Sequence, residues 1–437
     1  LITAGLATEL GLVDIDPDAL ETAQKLVQKM IEARKASIKL TATTDRRKVL
    51  KDATIVIATI GVGGRRAWEQ DVFIPRKYGI SMPVGDTVGP GGTARAMRMI
   101  PAMVAIARDV IDLAPHALFF NFANPMSPVC YAVQQATSAP MVGLCIGTHH
   151  TAIYLAEILG VKLSDLSYNV AGINHLTWFS EVYVRGQDAM PQLKEYARQV
   201  VQSTKKAVGL AQKGDAELPH TDSPFDSSFK EPFSWQCLEW FDAFPSPGDR
   251  HITEFFPQMF RDGSYYGKTL GVDEFSFEKT IAVGDQIFAE MRADALSPDP
   301  LTEVYFSKRG GEQEQVVEII QAIRDNQSKN FFVNLPNTGQ APNLPMNQVI
   351  ETPAVTNGHG IHAIQQNLIP AAAAGALASR FAWVEVVTEA ALEGSRDKFI
   401  QALILDGAVS SPDIAVKMAD DLIAAHQEYL PTITKGV

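Results

Sequence analysis

The sequence predicts an α/β protein built on a doubly wound, mostly parallel sheet, followed by a mixed α/β region. Three observations point there. Short β-branched apolar runs alternate with helical stretches through the first 165 residues, glycine turns close several of those runs, and 46% of the 437 residues are hydrophobic.

Residues 9–16, ELGLVDID, read as a strand closed by acids, and 17–36 carry helical apolar spacing with Pro17 in the first turn. DATIVIATI, 52–60, is a buried strand that ends at GVGG, and 94–112 read as a helix. A strand at 116–125 and a helix at 128–137 follow, then a strand at 141–147 and a helix at 151–159. This order is that of a Rossmann domain, in which an acid at the tip of the second strand binds the adenosine ribose. Asp14 stands at that place, while Asp16 before Pro17 suits a helix cap. The chain starts at Leu1 with no strand and Gly-rich turn ahead of residue 9, so the first strand and phosphate-binding loop of such a domain are expected to be missing.

From about residue 164 the pattern changes. Residues 166–184 alternate like antiparallel strands around a Gly-Ile-Asn-His turn, and 192–212 are helical and polar. Residues 214–244 suggest ordered loops with short helices. Helices are expected at 276–296 and 312–326, a strand at NFFVNLPN, and mostly helix over 370–426. The expected division is a dinucleotide-binding domain over 1–165 and a mixed α/β substrate and metal domain over 166–437.

Bulk properties exclude several classes. The net charge of −12 with a sequence pI near 5.3 argues against general nucleic-acid binding, which needs a concentrated basic surface. No apolar run reaches the roughly 18 residues that span a bilayer, and no signal-peptide pattern is present. Three scattered cysteines read as reduced thiols, which points to a cytoplasmic location and leaves a thiol free to ligate a metal. A small-molecule partner is expected.

Cys145, in GLCIGTHHT, lies where the fourth predicted strand ends, the edge at which open α/β folds bind ligands; the bland alternative is a buried apolar thiol. His149 and His150 follow at the start of the next helix. His175, in GINHLTWF, sits on a tight polar turn between apolar strands. A thiolate with a neutral imidazole suits a borderline divalent ion and leaves positions open for substrate oxygens, although two ligands make a weak motif. MPVGDTVGPGGTARAMRMIP sets Arg95 and Arg98 on a helix behind a cluster of glycines and prolines, suited to anions or sugar hydroxyls. NFANPMSP puts Asn121 and Asn124 at a strand end, where an amide can bind hydroxyls through donor and acceptor. SPGDRHITEFFP gathers Asp249, Arg250, His251 and Glu254 between aromatic residues, which reads as a site rather than a solvated face.

Taken together, VDIDPDAL, VGDTVGPGGTARAMR, NFANPMSPVC, VAGINHLTWF, GDRHITEFFP and NFFVNLPNTGQAPNLPMNQVIETPAV resemble glycoside hydrolase family 4 over nearly the whole chain, most of all its α-galacturonidase branch. The resemblance implies the fold of the lactate and malate dehydrogenase superfamily and a homodimer or homotetramer. It also implies a glycosidase that uses NAD and a divalent metal, usually Mn2+, in place of paired carboxylates. Oxidation at C3 acidifies the proton on C2, a base removes it, and the glycosidic bond breaks by elimination. On this resemblance Cys145 and His175 are the metal ligands, Asp14, Gly61 and Asn124 bind the cofactor, and Arg95, Asn124, Asn174 and Arg250 bind substrate. Asp249 is the expected base, with His251 the runner-up and Tyr265 and Tyr266 outside candidates. Ile146 departs from the pattern, because several branches carry a histidine or an acid directly after the cysteine; either His149, His150 or water then supplies the leaving-group proton, or the aglycone differs.

The substrate expected is a glycoside, with a uronic-acid sugar resting on the branch and on Arg95, Arg98 and Arg250. An α-galactosidase or α-glucosidase of the same family reads almost identically. An NAD-dependent sugar dehydrogenase would release NADH, and a catalytically impaired relative would bind sugar without turnover.

Overall fold

The computed structural model describes residues 1–308, 315–430 and 432–433. Its fourteen strands are β1 (Glu9–Val13), β2 (Lys39–Thr43), β3 (Ile55–Ala58), β4 (Leu118–Asn121), β5 (Met141–Gly143), β6 (Leu166–Ile173), β7 (Leu176–Val184), β8 (Gln187–Asp188), β9 (Phe244–Ser246), β10 (Ser264–Tyr265), β11 (Lys268–Thr269), β12 (Asn330–Pro336), β13 (Val349–Asn357) and β14 (Gly360–Ala363). Strands β3, β4 and β5 pair in parallel, as the alternation of strands and helices predicts. Strand β4 is buried on both faces: Phe119 enters the core beneath the helices Gly89–Leu113 and Met126–Ala136, while Phe120 enters a second core with Leu144, Ile319 and Val333.

The sheet does not stop at the expected boundary near residue 165. Strand β12 pairs with β5 and β13 with β6, both antiparallel, so one ten-stranded sheet runs β3-β4-β5-β12-β13-β6-β7-β8, with β9 on β7 and β14 on β13. Residues 330–357 therefore close the sheet between the two halves. Strands β1 and β2 pair in parallel only with each other.

Several bounds differ from expectation for local reasons. The helix expected from residue 94 begins at Gly89, because its first turn is built from the glycines and proline that sequence reading assigns to a loop. The helix Gly64–Arg76 and strand β2 are unanticipated, since the one has few apolar positions and the other only five residues. Of the helix expected at 312–326, Val316–Arg324 is helical and residues 312–314 lie outside the described residues. Residues 371–426 fold into the helices Ala371–Glu393, Arg396–Asp406 and Pro412–His426, as expected. Among the described residues, no helix is long and apolar enough to cross a membrane.

Candidate active site

The site is assembled from three turns and a short helix. The first is the loop from Met82 to Gly92. Gly85 and Gly89 take φ of +63° and +72°, and a Cβ at Gly92 would stand 2.5 Å from the carbonyl carbon of Thr87, so the chain can fold back this tightly only with glycine there. Asp86 sits inside this loop. Its Oδ2 accepts from the Asn124 amide at 2.9 Å and its Oδ1 from the Thr87 hydroxyl at 2.7 Å.

The second turn is the two-residue link between β6 and β7, Asn174 and His175. His175 has φ of +66°, where a bulky residue is strained and glycine or asparagine is usual. Strain of this kind gathers at functional sites. Thr87 Oγ1 lies 2.9 Å from His175 Nδ1 and so orients the ring. On the other side, His175 Nε2 is 3.4 Å from the sulfur of Cys145, which follows β5 in the third turn. The backbone N–H of Gly147 also donates to that sulfur, at 3.4 Å. The fourth piece is the helix Asp249–Phe255, which brings the His251 ring to 4.2 Å from that of His175, centroid to centroid.

One ligand atom each from Asp86, His175 and His251 lies within 4.8 Å of the others. Atoms sharing one divalent ion at about 2.0–2.3 Å stand ~3–4.5 Å apart, so this group is near coordination spacing, with Cys145 beside it. The electrostatics suit a cation. Burial raises the Asp86 carboxyl, but Arg95, His175 and the bonds from Asn124 and Thr87 outweigh it and hold Asp86 below its usual range, as a carboxylate. Burial lowers both imidazoles, and the proximity of His175 and Arg250 lowers His251 further. Two neutral imidazoles, a carboxylate and a thiol form a mixed donor set for a borderline divalent metal.

Two family models together span most of the chain: the family 4 glycosyl hydrolase model matches residues 2–161, and the model of the family's C-terminal domain matches residues 170–409. The chain belongs to glycosyl hydrolase family 4. It is therefore a glycosidase. It is 32% identical over 379 residues to an α-galacturonidase of Bacillus subtilis, covering 84% of this chain and 80% of that protein. It is 29% identical over 447 residues to an α-galactosidase of Rhizobium meliloti, covering 98% and 84%. The solved structure of lplD from Bacillus subtilis superposes with a TM-score of 0.79 at 27% identity, over 96% of this chain and 95% of that one.

Within this family 4 chain, the residues singled out from sequence separate into two sets. Cys145, His175, His251, Asn124 and Arg95 converge: Arg95 Nε donates to the Asn124 carbonyl at 3.1 Å, and its guanidinium lies 3.6 Å from where a Cβ on Gly61 would stand. Arg250 stacks on Phe225 at 5.1 Å and is close enough to act on both imidazoles. Asp14 follows β1, exposed, with Oδ1 accepting from Asp16 N at 2.9 Å; Asp16 itself caps the helix Pro17–Ala33.

Four expectations are corrected by geometry. Asp249 is wholly buried, and its two oxygens accept from Phe233 N, Ser234 N, the Ser234 hydroxyl and the Tyr265 hydroxyl, so it anchors its helix and has no oxygen left for a substrate proton. Asn174 is equally buried; its Nδ2 donates to Glu351 at 3.4 Å, and its Oδ1 has no hydrogen-bond partner among the described residues. Arg98 is no carboxylate partner, because it is locked in a buried pair with Asp71 at 2.9 Å. Tyr265 is buried against Asp249, and Tyr266 bonds Gln236. The His149 and His150 rings lie 6.5 Å apart at a 43° tilt, and burial lowers the His149 imidazole.

Asp86 escaped assignment, and Glu254 was placed in the 246–257 cluster without a role of its own. Asp86 carried one readable signal, a lone acid between glycines that force a tight loop. For Glu254 the signal was its place one turn beyond His251.

Proposed function

We propose that the protein is an NAD- and manganese-dependent α-glycosidase acting on α-galacturonides. The convergence of Asp86, Cys145, His175 and His251 carries the reading, since it pairs metal-type donors with neutral imidazoles and contains no pair of free carboxylates. The donor set fits a divalent metal. Asp86, Cys145, His175 and His251 would hold the metal; Asp14 would hold the adenosine ribose, with Gly61 and Asn124 at the strand ends toward the nicotinamide. When bound, NAD supplies reversible hydride transfer at C3 of the sugar and the divalent ion polarises the oxygens on C2 and C3.

The chain's own residues then have separate tasks. His251 is neutral, and its Nδ1 is buried without a hydrogen-bond partner, which suits the imidazole to a place on the metal beside His175. Arg95 and Arg250 supply guanidinium groups for a uronate carboxylate. The segment after Cys145 offers Ile146, which holds no proton, so we assign leaving-group protonation to water. The division into a cofactor half, 1–165, and a substrate half, 166–437, goes with this reading, with the metal donors drawn from both. A cytoplasmic homodimer or homotetramer is part of the same proposal.

A second reading, an α-galactosidase, is favoured by the Rhizobium meliloti relative, which matches 98% of the chain. One experiment separates the mechanism from the substrate. The protein is incubated with α-galacturonide, α-galactoside or α-glucoside in deuterated water, with NAD and Mn2+ present and then each omitted. Cleavage that requires both additives and places deuterium on C2 is expected. Cleavage without exchange at C2 would sink the mechanism, and cleavage of the galactoside alone would select the second reading.

A further inference from the structure

We propose that Glu254 is a positioning residue for the metal cluster. It ties the loop bearing Asp86 to the helix bearing His251, and thereby sets the spacing of these two donors. This rests on the reading of Asp86, Cys145, His175 and His251 as a metal site.

One carboxylate oxygen, Oε1 of Glu254, accepts from the backbone N–H of Val84 at 2.7 Å and of Gly85 at 2.8 Å. The next residue is Asp86. Glu254 lies three positions after His251 in the helix Asp249–Phe255, so one face of a two-turn element serves both. The carboxyl group is buried, where a backbone N–H left without its acceptor is costly. The far end of the same loop is tied to the same helix by a second route. Gly89 N donates to Asp406 Oδ2 at 2.9 Å, Arg380 Nη1 donates to that oxygen at 2.7 Å, and Arg380 Nη2 donates to the Phe255 carbonyl at 2.6 Å. All of these side chains are buried. The loop is thus pinned on both sides of Asp86 to the helix that presents His251.

Thr87 and Asn124 orient the Asp86 carboxylate, but they leave its backbone position undetermined. Residues that orient a metal's ligands without touching the metal typically alter affinity by about 10–100-fold when removed.

The test titrates Mn2+ into the full-length wild type and the variants Glu254→Ala, Glu254→Gln and Glu254→Asp, following loss of the free-ion electron paramagnetic resonance signal. Near-ultraviolet circular dichroism reports folding. Glutamine keeps the accepting oxygen, so E254Q should stay within about threefold of wild type, whereas E254A should bind Mn2+ roughly 10–100-fold more weakly. E254D shortens the tie by one methylene and should change both the affinity and the bound-ion spectrum. Wild-type affinity in folded E254A overturns the proposal, as does E254Q as weak as E254A. If E254A fails to fold, E254D decides, and a wild-type spectrum and affinity there overturn the proposal. A wild type that binds no Mn2+ sinks the metal reading and this inference with it, whereas a failure confined to the variants' expected losses leaves that reading intact.

Discussion

Asp249 and His251 stand two residues apart on one short helix, and their surroundings separate their roles. Four donors hold the Asp249 carboxylate, so Asp249→Asn would lose part of that set and should destabilise the fold by about 1–3 kcal/mol. Turnover in the D249N protein that remains folded should stay near that of the wild type. His251→Ala removes a metal donor, and should leave the melting temperature of the metal-free protein nearly unchanged while slowing deuterium exchange at C2. Thermal melts and exchange rates on both variants check this, and the opposite pattern would restore Asp249 as base. Glu351 supports a pH prediction. It is buried, bonded by Thr177 at 2.8 Å, and burial pushes its carboxyl up to about 7. The folded value exceeds the unfolded one, so the contribution is fully present below about pH 4.5 and is lost as pH rises through about 7. The span corresponds to roughly 3 kcal/mol at 1.36 kcal/mol per pH unit. Glu351→Gln should flatten the pH dependence of stability over that window, as measured by urea unfolding at pH 5 and pH 8; an unchanged slope would assign the dependence to other groups.

At the scale of elements, the readable part of the chain was the part where one physical signal dominates. The parallel strands β3 to β5 were legible because each is a short apolar run bounded by a turn, and the β6–β7 hairpin because apolar and polar residues alternate on either side of Asn174 and His175. His175 and Cys145 were legible for the same reason, as polar groups at the ends of apolar strands. The helix Gly89–Leu113 was not legible at its start, since helix propensity argues against Gly-Pro-Gly-Gly and only the close approach to Thr87 explains it. Asp249 misled because its residue type and neighbours look catalytic, while its partners, Phe233 and Ser234, lie on a different helix and leave no local trace. The Gly92 contact yields a prediction of its own. A Cβ at 92 would meet Thr87 backbone at 2.5–2.7 Å, which cannot give way without moving the residue beside Asp86. Gly92→Ala should therefore destabilise the protein by about 1–3 kcal/mol and weaken Mn2+ binding, even though alanine is the better helix former. A gain in melting temperature with unchanged Mn2+ affinity would show that the loop relaxes around the methyl group.

At the scale of the whole molecule, the order of the sheet decides how the two halves behave. Strands β12 and β13, from late in the chain, lie between β5 and β6, so the turn bearing Cys145 and the turn bearing His175 are joined through residues 330–357 rather than directly. The helix Ala371–Glu393 adds a second link: Trp383 donates to Thr93 at 3.0 Å, and Arg380 reaches the Phe255 carbonyl. A unit built this way should not lose one half while keeping the other. Scanning calorimetry is expected to give a single cooperative transition rather than separate ones for 1–165 and 166–437. Mn2+ should shift that one transition upward, because an ion held by Asp86, Cys145, His175 and His251 binds only where both halves are folded; at 100 times its dissociation constant the gain is about 2.7 kcal/mol. Two resolved transitions, with only one responding to Mn2+, would mean that the shared sheet does not couple the halves and that the donors belong to one of them.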